Sequence, residues 1–126
     1  MKTRQKIIIS CEHGGNRVPP EYQKLFRGKQ SILQSHALEF AKGLAAKINA
    51  PLFSATTSRL LVDLNRSLHH QHLFSEFTRH CKAAFKTKML EKYYHPYRLK
   101  LEKEILRILA SGRTVLHLSI HSFTPK

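Results

Sequence analysis

Gln5-Lys6-Ile7-Ile8-Ile9-Ser10-Cys11-Glu12-His13-Gly14-Gly15-Asn16 decides the fold class. Three consecutive β-branched residues, Ile7 to Ile9, read as a buried strand over Gln5 to Cys11. The paired glycines Gly14 and Gly15 end it, and Pro19-Pro20 stiffens the exit. A buried strand that stops on a polar, glycine-containing turn is the arrangement by which α/β folds present chemistry at strand ends.

Working outward, Glu21 to Phe26 predicts a short helix. From about Ser35, Leu38, Ala41, Leu44 (or Ala45) and Ile48 recur on one helical face until Pro51 stops the pattern. Leu52 to Ala55 and Leu60 to Leu64 read as short strands. Leu68 to Leu73 is polar and histidine-rich and reads as a loop, and Phe74 to Phe85 as a helix. Tyr97, Leu101, Ile105 and Ile108 form a second helical stripe over Pro96 to Ala110, which Gly112 is placed to stop. The last strand spans Thr114 to His121. Leu116, Leu118 and Ile120 face one way, and Val115, His117, Ser119 and His121 the other. Strands alternating with long helices imply an α/β sheet with helices on both faces.

Composition bounds the function. The chain has 126 residues, which predicts one domain over 1–126, and 41% of them are hydrophobic, enough for a core. Lys and Arg number 22 against 8 Asp and Glu, a formal charge of +14. No apolar run approaches a membrane span or a signal-peptide core, so a soluble, cytoplasmic protein is expected. Cys11 and Cys81 give no disulfide framework, and Cys11 reads as core. The basic residues are scattered, with no run of five and no zinc-finger or RNP motif. Three readings of the charge stay open: a solvated basic surface, non-specific nucleic-acid binding, or a positive field that steers small anions.

Three polar clusters follow apolar runs: Glu12 to Asn16, Arg59 to Arg66, and His121 to Pro125. The second holds the one aspartate of the chain, Asp63, beside two arginines and Asn65. Two histidines, each leaving a hydrophobic strand, could converge on one metal ion, since imidazole suits zinc. Taken alone, either is equally an ordinary hydrogen-bonded residue. His69, His70 and His72 look metal-like but have no nearby carboxylate. Tyr93-Tyr94-His95-Pro96-Tyr97 reads as aromatic packing at a helix start or as a base-stacking platform.

The clusters together form an ordered set: Cys-Glu-His-Gly-Gly-Asn-x-x-Pro from Cys11, Ser-Arg-x-x-x-Asp-x-Asn-Arg-Ser from Ser58, Tyr-x-Pro-Tyr from Tyr94, and His-x-x-Ile-His-Ser-Phe-Thr-Pro from His117. In order and spacing, from Ile7 to Pro125, this set closely resembles the N-formylglutamate amidohydrolase family. That family is similar to zinc carboxypeptidases and to the succinylglutamate desuccinylase and aspartoacylase group. The resemblance implies the N-terminal part of a zinc-carboxypeptidase-like (phosphorylase/hydrolase-like) α/β fold with a mixed sheet. It also implies a Zn2+ or other divalent metal site.

The implied roles follow position by position. His13 and His121 match the metal-ligand histidines, and Asn16 stands where the carboxypeptidase-like pattern has a ligand glutamate. Asn65 and Arg66 match the pair that holds a substrate carboxylate, a task suited to a bidentate guanidinium. Arg59 matches the arginine that stabilises an oxyanion. Asp63 would orient Asn65 or Arg66 from behind. Glu12, with no matching counterpart, is either a supporting residue or a substitute acid/base. The implied reaction is metal-dependent hydrolysis of an N-acyl bond on an acidic amino acid such as N-formylglutamate. The implied partner is a small anionic N-acyl dicarboxylic substrate, with no membrane and at most non-specific nucleic acid.

The sequence departs from the family pattern twice. Relatives carry Asp-Gly-Ala before the first long helix, where this chain has Gln34-Ser35-His36-Ala37-Leu38-Glu39. Relatives also continue past the His-Ser-Phe-Thr-Pro motif, toward the expected catalytic glutamate. Glu76, Glu91, Glu102 and Glu104 do not sit in a matching context. The alternative expectation is therefore an inactive truncated homologue that acts as a metal- or anion-binding module.

Overall fold

A computed structural model of the chain describes residues 4–26 and 37–121. The Gln34–His36 departure, the helix start at Ser35 and the Ser122–Pro125 end of the last motif lie outside the described residues. The elements run β1 (Gln5–Cys11), a 3-10 turn (Pro20–Phe26), α1 (Ala37–Ile48), β2 (Leu52–Ser54), α2 (Ala83–Met89), a π-helical segment (Leu90–Tyr94), α3 (His95–Ala110) and β3 (Thr114–Ser119).

The isoleucine strand β1 is the middle of a three-stranded sheet of order β2-β1-β3. It pairs parallel with both neighbours, Ile9 opposite Leu52 on one side and Leu118 on the other. The expected mixed sheet is thus parallel throughout the described residues. Each pair of strands is joined by a helical crossover that returns the chain to the starting end, and such a connection yields parallel pairing.

The two faces of the sheet differ in chemistry. Ile7, Ile9, Cys11, Leu52, Leu118 and Ile120 pack on Ala37, Ala41 and Ala45 of α1. Small side chains on the helix let it lie close against the sheet. Ile48, expected on that stripe, is 41% exposed. It lies at the helix end, where Asn49 turns to a φ of +53° and Ala50 N–H bonds the Ala45 carbonyl. The other face carries Ser10, His117 and Ser119, and the Tyr97 end of α3 covers part of it.

Two sequence-based expectations fail, and for one reason. Leu60 to Leu64 is not a strand, and Phe74 to Phe85 is helical only from Ala83. The apolar run is buried all the same, with Leu61, Val62 and Leu64 nearly inaccessible. Side-chain hydroxyls replace ladder partners: Ser75 donates to the Leu60 carbonyl, Thr78 Oγ1 donates to the Leu61 carbonyl at 3.0 Å, and Asp63 N–H bonds the Leu73 carbonyl at 2.9 Å. Ser75 also accepts from Phe77 N–H. Such local bonds compete with helix formation. Leu61 packs with Tyr22, Phe26 and Met89, and Val62 and Leu64 pack with Leu73 and Tyr94.

The helix predicted from Pro96 starts earlier, because α2, the π segment and α3 run on continuously from Ala83 to Ala110. Pro96 lacks an N–H and crowds the preceding turn, and widening that turn to π geometry accommodates it. Gly112, at a φ of +86°, ends the rod as expected. Among the described residues no helix is long and apolar enough to cross a membrane.

Candidate active site

Because β1 and β3 are parallel neighbours, their carboxyl ends lie side by side. His13 follows β1 by two residues and His121 follows β3 by two, so their imidazoles meet edge to face, ring centroids 5.3 Å apart. The turn that carries His13 is folded against the chain after β2. Gly14 N–H bonds the Ala55 carbonyl at 3.0 Å, and Arg17 N–H bonds the Thr56 carbonyl at 2.9 Å. A Cβ on Gly14 would come within 2.7 Å of the Ala55 oxygen, and one on Gly15 within 2.7 Å of the Thr56 oxygen. Close backbone approach, rather than an unusual dihedral, is what requires glycine at both positions.

Asp63 reaches the same site from the irregular buried run. Its Oδ1 accepts from His13 Nε2 at 2.7 Å and from Asn65 N–H at 2.9 Å, and Arg66 Nε lies 3.6 Å from Oδ2. Burial pushes the Asp63 carboxyl up, but the His13 and Asn65 hydrogen bonds and the nearby Arg66 charge together hold it below its ordinary value. Ionised Asp63 accepts only, so the His13 proton sits on Nε2, leaving Nδ1 as the nitrogen open to a ligand. The Asn65-Arg66 backbone is pinned from α3 and the π segment: Tyr94 Oη donates to the Arg66 carbonyl at 2.7 Å and Arg98 to the Leu64 carbonyl at 3.1 Å. The side chains of Asn65 and Arg66 remain exposed. The Asn65 amide lies 3.4 Å from His121 Nε2.

Beneath the imidazoles lies Glu12, only 3% exposed. Its Oε2 accepts from Tyr97 Oη at 2.6 Å and its Oε1 from Ser119 Oγ at 2.5 Å. Burial raises the Glu12 carboxyl, and the Ser10, Ser119 and Tyr97 hydrogen bonds with nearby His117 outweigh this, so the net displacement is downward. Tyr97 is pushed strongly the other way, by burial and then by the Glu12 carboxylate. Ser119 Oγ lies 2.9 Å from His121 Nε2, and Ser10 Oγ lies 2.6 Å from His117 Nε2. A cavity of about 610 Å³ opens on this side, lined by Glu12, Asn65, Tyr97, Ile105 and His117 among others.

Residues 5–126 match the family model for N-formylglutamate amidohydrolase. The protein belongs to the N-formylglutamate amidohydrolase family. No curated protein matches the chain. Among solved structures, gene product Atu2144 from Agrobacterium tumefaciens is similar, with a TM-score of 0.80 and 27% identity. The match covers 95% of this chain and 53% of that one, so this chain spans about half the length of that neighbour.

Within this amidohydrolase-family chain the structure brings His13, His121, Asp63, Asn65 and Arg66 to one place. Asn16 and Arg59 are exposed, and among the described residues neither has a hydrogen-bonding or ionic partner. Among the described residues no three His, Cys, Asp or Glu side chains converge as a metal-binding set. The nitrogen donors that do meet here are the two imidazoles of His13 and His121. His70 spends its Nδ1 on His72 N–H, within its own loop. Sequence reading passed over Ser10, Ser119, His117 and the roles of Tyr94 and Tyr97. The signals were present, since Ser119 and His117 alternate on one strand face, and Tyr-x-Pro-Tyr puts two hydroxyls one helical turn apart.

Proposed function

We propose that the chain carries the metal- and substrate-binding half of an amidohydrolase site for N-acyl acidic amino acids, with N-formylglutamate as the type substrate. The observation that supports this reading best is the meeting of His13 and His121 beside exposed Asn65 and Arg66. His13 and His121 would hold a zinc ion, which when bound supplies Lewis acidity and an activated water. Arg66 and Asn65 would grip the substrate carboxylate, the guanidinium bidentately and the amide as a further donor. Arg59, exposed on the adjoining turn, would approach the acyl oxygen as charge develops there.

Glu12 bears on the rate. Its burial and its occupied oxygens leave it no contact with a reacting proton, and a site without a positioned general base loses about 10²–10⁴ of rate. The chain is therefore proposed to bind N-formylglutamate and to hydrolyse it slowly. Equilibrium dialysis with zinc and calorimetry with N-formylglutamate test this. One zinc per chain, lost in His13→Ala/His121→Ala, and substrate binding lost in Arg66→Ala are expected. Absence of both would overturn the reading. Formate release at ordinary enzymatic rates, abolished by Arg66→Ala, would make the chain a complete hydrolase.

A further inference from the structure

We infer that Glu12 is a positioning residue that acts through Ser119 to fix the orientation and tautomer of His121. The argument is one of proton counting. A carboxylate accepts and never donates, and a serine hydroxyl has one proton. Ser119 Oγ lies 2.5 Å from Glu12 Oε1 and gives that proton to it. Its oxygen can then only accept from His121, whose Nε2 is 2.9 Å away, and the Asn65 amide at 3.4 Å faces that N–H through its oxygen, the O and N ends of a side-chain amide being interchangeable. His121 therefore carries its proton on Nε2 and keeps an unshared pair on Nδ1.

The same logic gives His13 the same tautomer, directly from Asp63 at 2.7 Å. Each site imidazole thus has its own carboxylate, one in contact and one relayed by a hydroxyl. Carboxylate-tethered imidazoles are the usual support of metal-ligating histidines. On the neighbouring strand Ser10 Oγ lies 2.6 Å from His117 Nε2. Tyr97 locks the Glu12 carboxylate from α3. A side chain 3% exposed, with hydroxyl donors from two elements, is built to hold still rather than to exchange protons with substrate.

This assignment has a consequence that separates it from acid/base chemistry. In Glu12→Gln the amide oxygen still accepts from Ser119. The amide N–H then points at Tyr97, whose hydroxyl can turn to the Phe53 carbonyl, already 3.1 Å away. The relay survives, whereas a general base would be destroyed.

The inference takes His121 as a site residue from the proposed function, but it is read without metal or substrate. The probe is long-range proton–nitrogen NMR of imidazoles in the ¹⁵N-labelled full chain, with His121 assigned by His121→Ala and folding checked by amide fingerprints. The expected wild-type signature is an Nε2–H tautomer at His121 with slowed proton exchange. Ser119→Ala should speed that exchange about tenfold, the worth of one net hydrogen bond, and admit the Nδ1–H tautomer. Ser119→Thr and Glu12→Gln should both retain the signature. An unchanged His121 spectrum in Ser119→Ala, or its loss in Glu12→Gln, would overturn the assignment. Failure of zinc uptake would count against the proposed function and leave this reading standing.

Discussion

Asp63 stands out in the sequence because it has no sibling, yet its partner does not. The reading from neighbours gave it Asn65 and Arg66, both within three residues. Its Oδ1 does accept from Asn65 N–H, but it also takes the His13 proton from 50 residues away, a contact that no local spacing encodes. Removing the charge tests it. Asp63→Asn leaves a buried bond to His13 without its ionic acceptor and should cost about 1–3 kcal/mol in denaturant unfolding at pH 7. The pH dependence has a fixed sign. The folded-state carboxyls of Asp63 and Glu12 titrate below their ordinary values. Their contribution is complete above the unfolded carboxylate range near pH ~4 and drains away as pH falls through the lower folded values. Acid unfolding of wild type should therefore steepen below about pH 4, and Asp63→Asn should flatten that limb. Gly14 was legible as a chain break but not as a contact. Gly14→Ala drives a methyl against the Ala55 oxygen and should destabilise by about 1–3 kcal/mol, read by thermal unfolding.

Among the elements, the rod from Ala83 to Ala110 holds the loops of the site. Tyr94 ties the Arg66 carbonyl and Tyr97 ties Glu12, so the Tyr-x-Pro-Tyr motif is a pair of hydroxyl anchors rather than a stacking platform. Tyr94→Phe should cost about 0.5–1.5 kcal/mol of stability and weaken the proposed N-formylglutamate binding measured by calorimetry, because the Asn65-Arg66 backbone loses a tether. Elements with a repeating pattern were readable: the isoleucine strand, the alanine-lined helix and the Tyr97–Ile108 stripe each obey one period. The stretch from Leu60 to Lys82 was not, because its order comes from Ser75 and Thr78 hydroxyls meeting main-chain carbonyls 15 and 17 residues back. Leu61→Ala, in the centre of that packing, should cost about 2–5 kcal/mol by chemical denaturation.

Over the whole molecule the formal charge of +14 is spread rather than gathered into a stripe. Binding to DNA or RNA should be sequence-blind and should fall linearly on a log–log plot against salt; a complex that discriminates sequences at physiological salt would contradict this. The arrangement of strands has a further effect, on the order of events during synthesis. Gln5 pairs with Thr114 and Ser10 with Ser119, so β1 waits for a strand made much later before it is paired on both sides. A growing chain that has not yet released β3 holds His13 without His121. A metal held by the two imidazoles, as proposed, cannot act as a template for such a chain. Folding has to come first, at the slow pace set by distant partners, and loading second. With the metal site as proposed, bound zinc should slow unfolding of the full protein, measured as the unfolding rate with and without zinc.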